Sequence, residues 1–593
     1  VVEFRPVAGR DDRPLTLVVC EASKELPMAS KPRSRSASMT VLQWNGLSTR
    51  GAMGVILKAV RSRFDDPELK LGRRMARDTT YLDTADRRLR RQGLVLRHEQ
   101  SSGPGELVLS GQGIARSEPS NPRSAEPPDP PLAGSLSQPL VETPVWPALM
   151  DRLPPGAVRD EISPAAGIRA LMPLARARVV SRSLAVLNGQ AEAVARLVWV
   201  ESRGIERAAS VSPAMLYVQA VPGRRRVARA IVAALLEGGE FGPAVGDVHE
   251  RLLEDLDSGS PDDRGPIGDR REPITGTLPA DVAVATALRG FSEIIVATAP
   301  GVIADIDTEF LHELRVAVRR TRSLLKQAGD VLPAPLATRY APGFKWLGDL
   351  TTPTRDLDVY LLEFDQLAAS LVAGSPSDLD PFAAFLRRHR DAQWRSMCRG
   401  LRSQRFTRLL SGWQTGLDAV LEAGPDSPDS PDGLDGLDGV LGSGGVRTAR
   451  ALAANRIRRS SRRVTRLAST ITPDSPAEQV HALRKRCKEL RYVLEAFQPL
   501  CEPGIYRAVV KDLRRLQDVL GTFQDGEVQS LGLREFAEQL LAGGKAPAST
   551  LLAMGELSAR FAHQQHQARA DLTDRLERYL HLGTRIRVRE LLG

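Results

Sequence analysis

His312-Glu-Leu-Arg315-Val-Ala-Val-Arg319-Arg320-Thr-Arg322-Ser-Leu-Leu-Lys326 is the first of two copies of one helix. The second, 169 residues later, reads His481-Ala-Leu-Arg484-Lys485-Arg486-Cys-Lys488-Glu-Leu-Arg491-Tyr492. The same offset carries Arg315 to Arg484, Arg319 to Lys488, Arg322 to Arg491, Leu347 to Leu516, Asp356 to Asp525 and Val359 to Val528 without a gap. A constant register over that span marks a duplicated helical unit.

At about 100° per residue, His312, Arg315, Arg319, Arg322 and Lys326 fall on one stripe roughly 80° wide. Leu311, Leu314, Val318 and Leu325 form the adjoining apolar stripe. Val480, Leu483, Cys487, Leu490, Leu494 and Phe497 do the same beside His481, Arg484, Lys488 and Arg491. Each copy is predicted to bury one face and hold a self-repelling row of cations at its edge. Few carboxylates stand near in sequence, so the rows call for an extended anion.

These helices, with Lys345-Trp346-Leu347-Gly348, Arg355-Asp356-Leu357-Asp358-Val359 and Leu516-Gln517-Asp518-Val519-Leu520-Gly521, resemble the CHAD domain. The resemblance spans roughly 281–593. It implies an all-α domain of two pseudo-symmetric four-helix bundles that binds inorganic polyphosphate on a basic surface. On this reading His312, Arg315, Arg319, Arg322, Lys326, His481, Arg484, Lys488 and Arg491 face the ligand. Lys345 and its counterpart Arg514 either extend the groove or are ordinary surface cations. The two histidines either donate to phosphate, more strongly when protonated, or satisfy a neighbouring helix. Asp356 and Asp525 read as structural partners that orient Arg or Lys. Secondary basic helices carry Arg395, Arg399 and Arg402, and Arg456, Arg459 and Arg463.

Lys and Arg total 82 against 72 Asp and Glu, so the chain is basic, and the charge is clustered. Arg447 to Arg466 holds eight arginines and no acid, directly after an acidic stretch from Asp426 to Asp438. Bulk charge does not distinguish RNA from polyphosphate. With aromatic residues at only 5% there is little to build a stacking platform, so nucleic acid is the less favoured ligand. Cys20, Cys398, Cys487 and Cys501 are scattered without a Cys-x-x-Cys pair, which disfavours zinc and a disulfide framework. No apolar run is read as long enough for a membrane span, and Leu15 to Cys20 is too short for a signal-peptide core. A cytoplasmic protein, associated with polyphosphate granules, is the expectation.

Residues 1–50 read as an irregular extension, and Gly51 to Phe64 as a helix. Thr80-Tyr81-Leu82-Asp83-Thr84-Ala85-Asp86-Arg87-Arg88-Leu89, then Gly93-Leu94-Val95-Leu96-Arg97, resemble the second and third strands of a CYTH domain. That resemblance covers roughly 51–256 and implies an antiparallel β-tunnel for triphosphate and metal. The departures are substantial. No Glu-x-Glu-x-Lys strand precedes Tyr81, and Glu99 stands where a second cation is usual. Glu106-Leu-Val108-Leu lacks the usual Lys, and Tyr217 and Gln219 replace metal-binding glutamates. Without those hard oxygens Mg²⁺ or Mn²⁺ has no ligand set. Asp83, Arg87 and Arg97 either line a polar tunnel or simply hold the strands.

A Pro/Ser insertion is expected at 117–140, strands at 171–180 and 191–200 (Arg176 and Arg178 sharing a face), and a helix at 227–236. A linker follows at 257–280, then a helical domain at 281–593. The latter divides into halves at 281–422 and 446–593 around the acidic linker 423–445. Helices are predicted at 281–299, 342–350, 356–372, 382–410, 447–467, 511–520, 526–541 and 551–580. Ser475-Pro476-Ala477-Glu478 reads as N-cap, first-turn Pro and capping-box Glu, which puts His481 in its second helical turn.

No nucleophile–base pair or Gly-rich phosphate loop occurs in the helical part. The sequence therefore points to a non-catalytic polyphosphate-binding protein with no cofactor, carrying a degenerate CYTH-like module. Polyphosphate and enzymes of its metabolism are the implied partners. The alternative is a triphosphatase or polyphosphatase using Mg²⁺ or Mn²⁺.

Overall fold

The computed structural model describes residues 39–46, 48–64, 68–101, 103–111, 135–205, 213–244, 274–423, 448–544 and 546–591. The amino-terminal part is one antiparallel sheet of β1 (Met39–Trp44), β2 (Glu68–Thr84), β3 (Leu94–Gln100), β4 (Glu106–Gly111), β5 (Ser135–Pro139), β6 (Leu171–Leu187), β7 (Ala193–Gly204), β8 (Met215–Ala220) and β9 (Phe241–Pro243). Their order is β5-β4-β3-β2-β6-β7-β8-β1-β9. Alternation sorts the side chains onto two faces. Leu42, Trp44, Leu184, Leu197, Trp199 and Leu216 pack under α1 (Ala52–Arg61) and α4 (Arg225–Glu237). Leu82, Leu94, Leu96, Leu107 and Leu109 pack with Val158 and Ile162 of α3 (Ala157–Ala166).

The opposite face carries Tyr81 across from Arg97, Glu99 across from Glu106, and Arg196 across from Gln219. β1 corrects the expectation of irregular structure over 1–50 at residues 39–44, and residues 1–38 lie outside the described residues. β1 presents Val41 opposite Tyr217 and Met39 opposite Gln219 on that face, with Gln43 opposite Met215. The expected insertion likewise loses residues 135–139 to edge strand β5. Residues 117–134 and 257–273, and the acidic stretch 424–445, lie outside the described residues.

The carboxyl-terminal part is helical: α5 (Ala280–Ile303), α6 (Thr308–Ala328), α7 (Ala334–Ala369), α8 (Asp380–Leu401), α9 (Gln404–Ala423), α10 (Ala449–Ala468), α11 (Ala477–Ala496), α12 (Pro503–Ala542), α13 (Ala548–Leu580) and α14 (Leu582–Glu590). Starts at Ala280, Thr308, Ala334 and Asp380 are answered at Ala449, Ala477, Pro503 and Ala548, shifts of 169, 169, 169 and 168.

Contacts show that the two copies face each other about a pseudo-twofold axis. Pro279 bridges Thr448, and the Tyr360 hydroxyl donates to the Gln529 carbonyl at 3.3 Å, each a pair of counterparts 169 apart. Arg320 donates to Glu495 at 2.8 Å and Lys326 to Glu489 at 2.6 Å. Since Glu489 is the counterpart of Arg320 and Glu495 that of Lys326, these two ion pairs exchange partners as an isologous contact must.

Several helix boundaries differ from expectation. α7 and α12 are continuous where two helices each were expected. Pro353 removes one backbone donor. The helix runs on through it, and Thr351 and Thr352 donate to the Leu347 and Gly348 carbonyls one turn back at 2.9 and 2.8 Å. In α12, Gly526 lets α13 approach, as a Cβ there would stand 2.7 Å from the Phe561 carbonyl oxygen. Conversely the expected helix 382–410 breaks after Leu401, where the Ser403 hydroxyl donates to the Gly400 carbonyl at 2.6 Å. Ser475 is not a cap: its hydroxyl accepts from Thr472 N at 2.9 Å, and α11 begins behind Pro476.

α5 corrects the reading that no run has the length and hydropathy of a membrane span. It passes that test, yet Ala283, Val284, Leu288, Phe291 and Ile295 are 0–1% exposed in the core shared by both halves.

Candidate functional site: a cationic groove on the pseudo-twofold axis

Leu311, Leu314 and Val318 of α6 and Val480, Leu483, Cys487 and Leu490 of α11 are buried. That burial fixes the rotation of both helices and leaves the cation rows at the rim. Each row lies against the long helix that follows it. Arg315 donates to the Gly348 carbonyl at 3.4 Å, and to the Thr351 and Thr352 hydroxyls at 3.2 and 2.8 Å, all on α7. Arg322 packs over Gly348, where a Cβ would stand 2.7 Å from its Nη1. On the other side His481 Nδ1 pairs with Gln524 Oε1, and Arg491 donates to Gln517 at 3.5 Å, both on α12.

The rows meet at the axis. Arg319 lies over the Tyr492 ring of α11, 5.4 Å from its centroid. Lys488 is the counterpart of Arg319. Its ammonium is depressed to about 8 by burial, then by Arg484, Arg319 and Arg491. Burial, followed by Arg355, lowers the His312 imidazole below its usual value, with Arg319 and Arg315 adding to the effect. That favours neutral His312 over the protonated form in which it would donate most strongly to phosphate, and leaves both roles read from the sequence open. Arg315 is lowered by burial, an effect that Asp356 opposes and that Arg319, Arg355 and Arg322 reinforce. Cations from both halves therefore sense one another.

The assumption that few carboxylates neutralise the rows needs correction. Lys326 is held by Glu489, Arg491 by Glu495 at 2.7 Å, and Arg484 by Asp525 at 3.1 Å. Arg315, Arg319, Arg322 and Lys488 form no ion pair among the described residues. Lys345 and Arg514 are exposed on α7 and α12. Arg395, Arg399 and Arg402 are exposed along α8 and its C-cap, and Arg459 on α10. Arg463 is half-buried, and Arg456 is bound to Asp330.

Three groups were missed by sequence reasoning. Arg355, which donates to the Thr308 carbonyl at 3.2 Å, places a further cation near His312. Tyr492 supplies the ring beneath Arg319. Glu489 and Glu495 become legible only once the twofold exchange is assumed.

The sheet's polar face is self-neutralised in part. Arg77 pairs with Glu99 at 2.8 Å, and Arg97 with Glu99 at 3.3 Å. Asp83 accepts from the Thr84, Leu89 and Arg90 backbone N–H groups at 2.7, 2.9 and 3.0 Å, so it closes the turn into α2 (Arg88–Arg91). Arg176 and Arg178 share the other face, and Arg178 pairs with Asp78 at 2.7 Å. Among the described residues no group of three or more His, Cys, Asp or Glu is placed to hold a metal ion.

The family pattern "CHAD domain" matches residues 286–534. Among solved structures, the CHAD domain from the plant Ricinus communis is 24% identical, covering 52% of this chain and 95% of that one with a TM-score of 0.42. PptA from Streptomyces chartreusis is 14% identical, covering 50% of this chain and 99% of that one with a TM-score of 0.38. No curated protein matches the chain. Residues 286–534 are a CHAD domain, joined to an amino-terminal antiparallel sheet compatible with a CYTH-like tunnel.

Proposed function

We propose that the groove between α6 and α11 binds inorganic polyphosphate, without catalysis in the helical part. One observation supports this reading: Arg315, Arg319, Arg322 and Lys488 converge at the axis and close no ion pair among the described residues, although Asp356 and Asp525 act electrostatically on Arg315 and Lys488. Burial first, and then the repulsion of Arg484, Arg319 and Arg491, depress Lys488 to about 8, and a bound anion would relieve the repulsion. Successive arginines at one turn per about 5.4 Å suit a chain of phosphates, each guanidinium presenting a fork of donors. A polymer reaching both rows makes its second contact intramolecular, so long chains are expected to bind more tightly than tripolyphosphate.

Calorimetric titration of the full chain with long-chain polyphosphate, tripolyphosphate and RNA at equal salt tests this. Preference for long polyphosphate supports the reading, whereas affinity independent of chain length, or preference for RNA, overturns it. Location in the cytoplasm near polyphosphate stores, and contact with enzymes of polyphosphate metabolism, follow from the same reading.

The sheet is proposed to be non-catalytic, because Met39, Val41, Gln43, Tyr217 and Gln219 supply no carboxylate where the family's metal ligands would stand.

A further inference from the structure

The two copies share a backbone plan, but the arginines of the two rows are not equivalent in their ion pairs. On α11, Arg484 is paired with Asp525 and Arg491 with Glu495. Their counterparts on α6, Arg315 and Arg322, have no such partner. Asp356, the counterpart of Asp525, acts electrostatically on Arg315 and Arg355 but closes no ion pair with them among the described residues. The counterpart of Glu495 is Lys326, a cation.

α6 also opens with acids that α11 largely lacks: Asp307, Glu309 and Glu313 answer to Pro476, Glu478 and Ala482. The sheet holds these three carboxylates. Arg169, whose side chain is fully buried, contacts Asp307 at 3.3 Å, Glu313, and Asp86 at 3.6 Å. The Ala170 backbone N–H donates to Asp307 at 3.0 Å, and Arg88 stands 3.8 Å from Glu309. The amino-terminal module thus supplies counter-charges to the acids at the base of α6, while Arg315, Arg319 and Arg322 above them close no ion pair among the described residues.

We propose that the α6 row, Arg315, Arg319 and Arg322 with Lys488 across the axis, is the anchoring half of the groove, and that the α11 row engages a polyanion only by exchanging its own carboxylates for phosphate. This rests on the polyphosphate reading and deepens it. A short anion then occupies the α6 half alone. A long chain goes on to compete with Asp525 and Glu495 for Arg484 and Arg491. The intramolecular carboxylates are always present at high effective concentration, so the second half is the weaker one.

The test is titration of the full chain with tripolyphosphate and with long-chain polyphosphate at one low salt concentration. It compares Arg322→Ala with its counterpart Arg491→Ala, and adds Glu495→Gln. Arg322→Ala is expected to weaken tripolyphosphate binding about tenfold or more, and Arg491→Ala less than about threefold. Glu495→Gln, which frees Arg491, is expected to tighten long-chain binding while thermal melting shows the chain still folded. Equal losses from the two alanine variants, a larger loss from Arg491→Ala, or no gain from Glu495→Gln in a folded chain overturns the asymmetry alone. A wild-type chain that binds neither probe overturns the polyphosphate reading as well.

Discussion

If the groove binds polyphosphate as proposed, Lys488 should make its affinity proton-linked, with a sign and size that follow from its surroundings. In the free protein burial and the neighbouring arginines hold its ammonium at about 8, against 10.5 for an ordinary lysine. A bound phosphate chain offsets the repulsion and moves the value back up, so binding takes up a proton and weakens as pH rises. If the bound value returns to the ordinary one, raising the pH from about 7 to about 9.5 lowers affinity by a factor of about 25, or about 2 kcal/mol. Folding has the opposite slope. Between about 8 and 10.5 the unfolded chain binds more protons at this lysine than the native one, so its contribution to stability grows as pH rises. Loss of binding over that window therefore does not come from unfolding at this site. Titration calorimetry in buffers of different ionisation enthalpy reads the uptake, about half a proton near pH 8. Lys488→Arg keeps the charge and should flatten the profile. A wild-type profile that is already flat, or a variant profile that keeps the slope, refutes the reasoning.

Three other outcomes are expected. Arg319→Ala removes one charge-assisted contact, worth about 1.5–3 kcal/mol, so the dissociation constant should rise roughly ten- to 150-fold and the salt dependence should become shallower. The purified chain with tripolyphosphate and Mg²⁺ or Mn²⁺ should show no turnover. Metal-dependent release of phosphate that disappears in Glu99→Gln with Glu106→Gln would contradict that. Arg169→Met leaves Asp307, Glu313 and Asp86 without their shared buried cation and should cost about 3–5 kcal/mol in urea unfolding. An unfolding midpoint equal to wild type would show that the sheet is not anchored through this residue.

The duplicated helices were legible because burial and charge repeat in the same register, and that register fixes where α6 and α11 start and which faces they bury. Breaks were harder to place. Pro353 and Gly526 look like helix ends, yet α7 and α12 run on through them, with hydroxyl-to-carbonyl bonds at Thr351 and Thr352 and the close approach of α13 at Gly526. The second of these depends on a tertiary neighbour. Strand β1 was hidden because Met39, Val41 and Gln43 stand where an acidic alternation was sought, and its pairing is with β8, far along the chain. The two rows of cations beside the buried stripes were read from spacing. Their partners were not, because Glu495 reaches Arg320 on another helix as well as Arg491 on its own. That sharing follows from the axis and is absent from local sequence.

The central claim is that the cations at the axis bind the polyanion. Arg319 and Arg322 are exposed and Lys488 is half-buried, and none of the three forms an ion pair among the described residues. Changing all three to Glu should therefore reverse the field of the groove and leave the buried stripes intact. The deciding measurement is titration of this triple variant and of wild type with long-chain polyphosphate, with circular dichroism on the same samples. The account predicts a helical variant that no longer binds. A helical variant that binds like wild type would contradict it and move the site to another surface, the exposed arginines of α10 first.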